Sequence, residues 1–324
     1  MPRFDILTIG SATQDVFIRS TALEEHHDDD APDGIAACFL MGSKMSADEL
    51  TFSTGGGATN AATTFARWGL KTACLTRIGK DLTGASLLAD LKAEKIDTRF
   101  VQTDPKLQTA YSVILLSGSG HRAIFTHRGA SQALDRRAFP WHHWTKKLAN
   151  TRIAKWIYLT SVGGDMKILA DIFEHAARTK TRIAWNPGNK ELEKGMKQLK
   201  RFLLQTDVLS LNKEEADALG GLKEVGDLPR GAFLLTEGGH GATVRSQGKT
   251  LHVSALKVKR INTTGAGDAF GSGFVASWMR KEDPRAAMAD ALLNATGVIT
   301  HMGAHAGILQ RHPTQKERAQ VRIR

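Results

Sequence analysis

Short runs of apolar and β-branched residues alternate with longer segments of helical period along most of the chain. The predicted strands cover residues 4–9, 72–78, 156–160, 182–185, 208–211 and 232–236. The predicted helices cover residues 61–68, 83–95, 166–179, 191–204 and 214–219. This alternation is typical of βαβ units, so we expect an α/β fold with a doubly wound, mostly parallel sheet flanked by helices.

Two regions interrupt this rhythm and predict a second, smaller sheet. Residues 21–53 are polar, acidic and irregular, and residues 109–128 have the pattern of a hairpin that turns at Ser117-Gly118-Ser119-Gly120. We expect a small β lid from about residues 17–54 and 109–128, whose exposed strand edges offer a route to a homodimer. Within it, His26-His27-Asp28-Asp29-Asp30 has metal-binding residue types, although an acidic, solvated loop is the simpler interpretation.

The composition favours a globular protein that is not secreted. The chain has 324 residues, 41% of them hydrophobic, which predicts one main domain at 1–310 and a basic C-terminal tail at 311–324. Cys38 and Cys74 lie in unrelated surroundings and indicate neither a disulfide framework nor a thiolate metal site. Because no secretory leader and no apolar run of about 20 residues is found, we expect a cytoplasmic location and no membrane partner.

The formal charge of +11 raises the question of a nucleic-acid partner. The basic residues are scattered, and neither zinc-finger spacing nor interleaved aromatic and basic residues occur. A positive field attracts a small anionic ligand such as a nucleotide equally well. We therefore do not expect nucleic-acid binding.

Polar side chains recur at or just beyond the carboxyl ends of the predicted strands. They are Asp15, Asn186, Asn212 and Thr236. In an open α/β sheet these strand ends line the ligand crevice. Each residue alone is more often a turn residue or a helix cap, but four converging positions indicate a site.

Two glycine-rich turns precede predicted helices. Gly55-Gly56-Gly57 stands before a helix that carries Asn60, an arrangement that suits either a ligand site or a flexible loop with an Asn cap. The segment 262–270 follows a strand-like run at 251–258 and opens a helix of small residues at 269–278. There, the N–H groups of Gly265, Ala266 and Gly267 can stabilise a transferring phosphoryl group, and Asp268 can act as general base.

The second turn therefore predicts ATP-dependent phosphoryl transfer to a small hydroxylated molecule. Other phosphate-binding patterns are missing: the chain has no P-loop motif, and its two Gly-x-Gly-x-x-Ala matches do not lie between a strand and a helix.

Together these motifs resemble the ribokinase, or PfkB, family of carbohydrate kinases. The matching motifs are Gly55-Gly56-Gly57 with Asn60, Arg77-Ile78-Gly79 with Asp81 and Gly84, Asn212 with Glu215, Thr236-x-Gly238-x-x-Gly241, and Thr263-Thr264-Gly265-Ala266-Gly267-Asp268. They occur in family order over nearly the whole chain. The resemblance implies a ribokinase-like sheet with a β lid, and an enzyme that uses ATP and Mg²⁺.

The resemblance also implies roles for individual residues. Asp268 matches the catalytic base, and Gly265, Ala266 and Gly267 match the anion hole. The matches to the nucleotide site are Asn212, Glu215, Thr236, Gly238, Gly241, Thr264 and Asn294. Those to the acceptor site are Asp15, Gly56, Gly57 and Asn60. Glu215 is implied as a Mg²⁺ residue acting through water, and Gly303-Ala304 is similar to a segment of a monovalent-cation (K⁺) site.

Two departures from the family pattern matter. Asn262 stands where the family usually has Asp, which questions a role of that position in organising cations. Leu159-Thr160-Ser161 stands where ribokinase has a Glu, which argues against a ribose-specific pocket. The acceptor is thus a sugar, sugar acid or nucleoside. Arg122, His127 and Arg128 either reach an anionic substrate or face solvent, and we expect solvent.

The alternative function is a catalytically silent, kinase-like protein that binds a sugar or nucleotide. Asn262 is its only support in the sequence.

Overall fold

The computed structural model of the protein describes residues 3–31, 34–38, 41–118, 121–142 and 151–324. Its main sheet has eight strands. In spatial order they are β16 (Lys249–Val253), β15 (Ala242–Ser246), β14 (Ala232–Thr236), β13 (Val208–Asn212), β12 (Arg182–Trp185), β11 (Ala154–Leu159), β1 (Phe4–Ile9) and β6 (Thr72–Leu75). The six strands from β14 to β6 pair in parallel, and β15 pairs antiparallel with both of its neighbours.

Helices cover both faces of this sheet. They are α1 (Gly57–Arg67), α2 (Leu82–Ala93), α3 (Met166–Thr179), α4 (Asn189–Leu192), α5 (Gly195–Leu203), α6 (Lys213–Ala218), α7 (Leu222–Val225), α8 (Ala266–Lys281), α9 (Pro284–Ile299) and α10 (Gln315–Arg318). Because side chains alternate along a strand, Ile6 of β1 packs in one core and Leu7 in the other. The predicted α/β fold is confirmed.

The lid is a four-stranded sheet beside the crevice. Its strands, in spatial order, are β10 (Arg122–His127), β9 (Ala110–Leu116), β2 (Thr13–Arg19) and β5 (Glu49–Gly55). The predicted hairpin corresponds to β9 and β10, and Ser119 and Gly120 of its turn lie outside the described residues. Two ribbons complete the fold, one of β3 (Glu24–His27) with β4 (Ile35–Cys38) and one of β7 (Arg77–Gly79) with β8 (Gln102–Asp104).

Three predicted elements differ from the structure. The strand predicted at 72–78 is divided, because its second half leaves the main sheet to pair with β8. The helix predicted at 191–204 is two helices, since Gly195 has a φ of +74° and interrupts the helical path. The strand predicted at 251–258 already ends at Val253.

Residues 311–324 pack against the main domain. Arg318 donates to both carboxylate oxygens of the fully buried Asp290, at 2.7 and 3.0 Å. At the chain end, the backbones of Arg324 and His252 exchange hydrogen bonds of 3.0 and 2.9 Å. The basic segment is therefore part of the body of the protein.

Candidate active site

The glycine turn at the start of α8 has one closed side and one open side. Gly265 has a φ of +83°, and a side chain there would lie 2.7 Å from the Cβ atom of Ala304. Gly267 is different, because a side chain there would meet no atom within 4 Å among the described residues. The Ala266 N–H donates to the Thr263 carbonyl at 3.3 Å. Gly267 therefore presents open backbone at the positive end of the helix.

Asp268 lies in the first turn of α8, next to this glycine turn. Its Oδ2 atom accepts a hydrogen bond of 2.7 Å from Nδ2 of Asn60, which is buried on α1. Gly56, just before α1, has a φ of +99° and lies against the Ser11 carbonyl, where a side chain would overlap. The two glycine turns thus bring Asn60 and Asp268 together across 208 residues of sequence.

Asp15 contributes a carboxylate from the lid. It is buried on β2, bonded to Ser112 of β9, and a side chain at Gly55 would lie 1.9 Å from its Oδ2 atom. The pKa of Asp15 is raised to about 7. Burial is the largest cause, the charge of Asp268 adds to the rise, and the Ser112 hydrogen bond opposes it.

The carboxylates of the crevice repel one another. Burial raises the pKa of Asp268 despite the Asn60 hydrogen bond. Burial also raises the pKa of Glu215, and the charge of Asp268 adds to that shift. Such a group of acids is stabilised by an added cation.

The donor set fits Mg²⁺ bound together with phosphates. Within the described ranges, no group of three or more His, Cys, Asp or Glu side chains is arranged to hold a metal by itself. Mg²⁺ needs fewer protein ligands than such a group provides, since it keeps several water molecules and binds one or two carboxylates together with phosphate oxygens. Glu215 can supply such a carboxylate, and Asp268 stays available as a base.

Asn212 and Glu215 form a capping box at the start of α6. Asn212 Oδ1 accepts from the Glu215 N–H, and Glu215 Oε2 accepts from the Asn212 N–H, both at 2.8 Å. The box places the partly exposed Glu215 at the carboxyl end of β13, where it faces the charge of Asp268. Asn186 bonds to the Ser210 carbonyl at 2.9 Å and joins the ends of β12 and β13.

Thr236 ends β14 and leads into the turn with Gly238 and Gly241. Gly241 has a φ of +105°, and a side chain there would overlap the Val253 carbonyl. Gly238 is exposed with a φ of +56° and open space beside it. The turn therefore presents a glycine backbone to the crevice edge next to Asn212.

Asn294 is placed differently from the other predicted site residues. It is fully buried, and its amide donates to Thr64 Oγ1 and the Ala269 carbonyl at 3.2 and 2.9 Å and accepts from the Leu309 N–H at 3.1 Å. These bonds use the whole amide inside the fold, joining α9 to α1 and α8. The Asn294 side chain therefore has a structural role in the fold, and its place in a nucleotide site stays a prediction.

Asn262 is a poor ligand for a monovalent cation. Its Oδ1 atom accepts from the Thr264 N–H at 3.1 Å, which assigns the two amide ends, and its buried Nδ2 donor has no partner among the described residues. The buried Thr264 hydroxyl is likewise unpartnered within those residues. Because a cation needs oxygen ligands, an unpaired N–H donor at this position does not fit a K⁺ site.

The chain also matches a known protein family over most of its length. The sequence pattern described as pfkB family carbohydrate kinase matches residues 29–311. The chain belongs to this family. The predicted ATP-dependent carbohydrate or nucleoside kinase is therefore confirmed.

Relatives of this pfkB-family chain are known kinases. An ATP-dependent ribose-1-phosphate kinase of Halopiger xanaduensis is 28% identical over 76% of this chain and 80% of its own length. A ribokinase of Haemophilus influenzae is 24% identical over 85% of this chain and 89% of its own.

Solved structures share the pfkB-family fold. A nucleoside kinase of Methanocaldococcus jannaschii, a member of the ribokinase family, has a TM-score of 0.76 at 16% identity, covering 99% of this chain and 98% of its own. A nucleoside kinase of Burkholderia thailandensis in complex with inosine has a TM-score of 0.74 at 20% identity, covering 97% and 94%. Within the described residues, no helix combines the length and apolar character needed to cross a membrane.

Three contacts near the candidate site of this pfkB-family chain were not predicted from the sequence. Arg122, expected to face solvent, is exposed and also donates to the Thr263 hydroxyl, which links the lid to the glycine turn before α8. Ser112 bonds to Asp15, and its place on the inward face follows from the alternation along β9. Tyr158 lies beneath Gly271 of α8 with a buried hydroxyl, and burial raises its pKa. Its apolar surroundings in the sequence give no sign of this position.

Proposed function

We propose that this kinase transfers the γ-phosphoryl group of ATP to a hydroxyl of a small sugar, sugar acid or nucleoside, with Asp268 as general base. The observation that carries the proposal is the placement of Asp268. It lies one residue after the open backbone of Gly267, at the positive end of α8, and is held by Asn60. A base and an anion site next to each other are what phosphoryl transfer to a hydroxyl requires.

Asp268 acts in its ionised form. The Asn60 amide donates to one carboxylate oxygen and orients the group, which leaves the other oxygen for the acceptor hydroxyl. The raised pKa makes Asp268 a stronger base than an exposed carboxylate, because a higher pKa means tighter binding of the abstracted proton. The Gly265–Gly267 turn and the start of α8 stabilise the charge of the transferring group. When bound, Mg²⁺ offsets the charge of the phosphates.

The acceptor side of the proposed site lies between the lid and α1. Asp15, Asn60 and the backbone of Gly56 and Gly57 surround it, and short polar groups of this kind hydrogen-bond sugar hydroxyls. Relatives named ribokinase, ribose-1-phosphate kinase and nucleoside kinase support an acceptor that contains a sugar.

The nucleotide side lies toward β13 and β14. We assign the ATP phosphates to Thr264 and to the α6 start with Asn212 and Glu215, and the rest of the nucleotide to Thr236, Gly238 and Gly241. Glu215 would hold Mg²⁺ through water. Since Asn262 does not fit a cation, the proposal includes no K⁺ activation.

Two broader assignments complete the proposal. The protein acts in the cytoplasm, as expected for a kinase that draws on cellular ATP.

It forms a homodimer through the outer face of the lid, on which Leu50, Phe52 and Phe125 are 57%, 61% and 61% exposed. The pairings Phe52–Val16, Val16–Val113 and Val113–Phe125 place both phenylalanines on the same face. A broad exposed apolar face is typical of an interaction site.

The test is product formation from a panel of acceptors. The protein is incubated with ATP, Mg²⁺ and D-ribose, D-fructose, D-gluconate, ribose 1-phosphate or inosine, and both ADP and the phosphorylated acceptor are measured. We expect at least one acceptor to yield stoichiometric ADP and phosphorylated product. Tight binding of ATP and acceptor without any product would instead support the silent binding protein.

A further inference from the structure

Glu191 is a buried acid that lies outside the proposed catalytic residues. It is on α4, and no part of it is exposed to solvent. Its Oε1 atom accepts from the N–H groups of Val162 and Gly164 at 2.8 and 2.7 Å. Its Oε2 atom accepts from the Ser161 hydroxyl and the Gly188 N–H at 2.9 and 3.0 Å. The carboxylate is thus surrounded by four donors at ideal distances.

These donors belong to two loops at the carboxyl end of the main sheet. Residues 161–164 follow β11, and Gly188 follows β12, so Glu191 ties two neighbouring strand ends together. Gly163 and Gly164 have φ values of +76° and +73°. With this backbone conformation the Gly164 N–H donates to Glu191 and the Gly163 N–H donates to the Ser161 hydroxyl. A carboxylate that accepts several backbone N–H bonds holds the loop that donates them.

The loop after β11 contacts the acceptor side of the crevice. Thr160 is packed so closely on the glycine turn before α1 that a side chain at Gly57 would lie 3.0 Å from its Cβ atom. On its other side, a side chain at Gly163 would lie 3.1 Å from the carbonyl of Gln132, in the 3-10 turn Gly129–Gln132 that follows lid strand β10. The loop therefore lies between the start of α1, the helix that carries Asn60, and the 3-10 turn that follows the lid.

We propose that Glu191 is a positioning residue for the acceptor. It fixes the loop 161–164, which in turn fixes Thr160 against Gly57 and the 3-10 turn below the lid. None of the four hydrogen bonds described for the Glu191 carboxylate comes from a residue assigned to the nucleotide side. The inference rests on the proposed function and adds that acceptor binding, and not ATP binding, depends on Glu191.

The test uses substitutions of graded severity. Glu191→Gln keeps the shape of the side chain but replaces one acceptor oxygen by an NH₂ donor. Whichever way the amide is turned, that NH₂ group faces two of the present donors, so two hydrogen bonds are lost. Ser161→Ala removes a single donor and leaves the carboxylate in place. Glu317→Gln is the matched control, because Glu317 also accepts the N–H of a helix-capping residue, Thr314, but lies on α10.

Steady-state kinetics and calorimetric binding are measured with ATP and with the best acceptor of the panel named above. We expect Glu191→Gln to raise the acceptor KM about tenfold or more, since misplacing a binding loop by about 1 Å has effects of this size. Ser161→Ala should raise it less, and both variants should keep the ATP KM and ATP Kd within about twofold. Glu317→Gln should change neither constant.

Equal losses of ATP and acceptor affinity, or an unchanged acceptor KM in a folded Glu191→Gln protein, would overturn the inference. If Glu191→Gln does not fold, Ser161→Ala decides: a selective rise in acceptor KM supports the role, and unchanged constants reject it. A wild-type protein that phosphorylates no acceptor contradicts the proposed function itself and the inference with it. Wild-type turnover without a selective effect contradicts only the inference.

Discussion

Asp15 is an acid whose burial opposes its own charge. Its pKa is about 7 in the folded protein, against an ordinary value of 3.8. An acid with a raised folded pKa binds its proton more tightly in the folded state, so stability falls as pH rises from the lower value to the higher one. The crevice therefore carries electrostatic strain at neutral pH that a cation or a hydrogen-bonding acceptor relieves.

Asp15→Asn should remove this pH dependence. The variant should gain stability relative to wild type as pH rises from about 4 to 7, by at most about 4 kcal/mol, because a shift of one unit corresponds to about 1.4 kcal/mol. Urea unfolding at several pH values measures the difference. Asp5→Asn is the control of opposite sign: burial raises the pKa of Asp5, but the Lys155 and Lys71 contacts outweigh it and lower the pKa overall. A flat difference between Asp15→Asn and wild type would contradict the account.

Asn262 leads to a prediction about cations. Wild-type turnover should be the same within about twofold in KCl, NaCl and choline chloride at equal ionic strength, because the free end of this amide is an N–H donor. Asn262→Asp places a carboxylate oxygen there and should introduce stimulation by K⁺. Several-fold K⁺ stimulation of the wild type would show that a cation binds despite the amide.

At the scale of elements, Gly265 and Gly267 at the start of α8 are needed for different reasons. Gly265 is required by its positive φ and by Ala304, whereas Gly267 has open space beside it. Gly267→Ala should lower kcat about tenfold or more, because its methyl group enters the anion site, while stability stays equal or rises slightly since Ala favours a helix.

Gly265→Ala is the comparison, and it should lose stability because Ala is strained at that φ and contacts Ala304. Thermal unfolding and kcat of both variants separate the two effects. A fully active Gly267→Ala protein would show that the open side of the turn does not face the transferring group.

Much of the candidate site could be predicted because its residues belong to local sequence motifs. Motif residues such as Asp268 and Asn60 carry their own local pattern, and the parallel topology then brings the patterns to one edge of the sheet. The Asn294 prediction came from the family resemblance, whereas the hydrogen bonds of a buried amide depend on the helices that pack against it.

Glu191 could not be predicted for a similar reason. Its importance depends on the left-handed backbone of Gly163 and Gly164, and a sequence of Gly-Gly is compatible with many loop conformations. The division at Gly195 also escaped prediction, because the apolar period continues past it. Candidate residues that belong to local motifs could thus be predicted from the sequence, whereas contacts made by loops could not.

At the scale of the molecule, the lid has two different faces. The inner face supplies Asp15, Ser112 and Arg122 to the crevice, and the outer face exposes Phe52 and Phe125. Alternation along the strands separates the two sets of side chains. The proposed dimer would therefore cover one side of the lid without obstructing the other.

Phe52→Asp should convert the dimer to a monomer, because a carboxylate in an apolar interface is costly to bury. Light scattering coupled to size-exclusion chromatography measures the mass. Leu82→Asp is the matched control, since Leu82 is 92% exposed at the start of α2, outside the lid. A wild-type protein that is monomeric at high concentration would contradict the dimer.

The central claim is that Asp268 removes the proton from the acceptor hydroxyl. The most direct measurement is the kcat of Asp268→Asn with the best acceptor, together with ATP binding by calorimetry. Asn preserves the size of the side chain but cannot accept the proton. We predict that kcat falls about 10²-fold or more, within the range of general bases, while the Kd for ATP is unchanged. Near-normal turnover by Asp268→Asn would contradict the account.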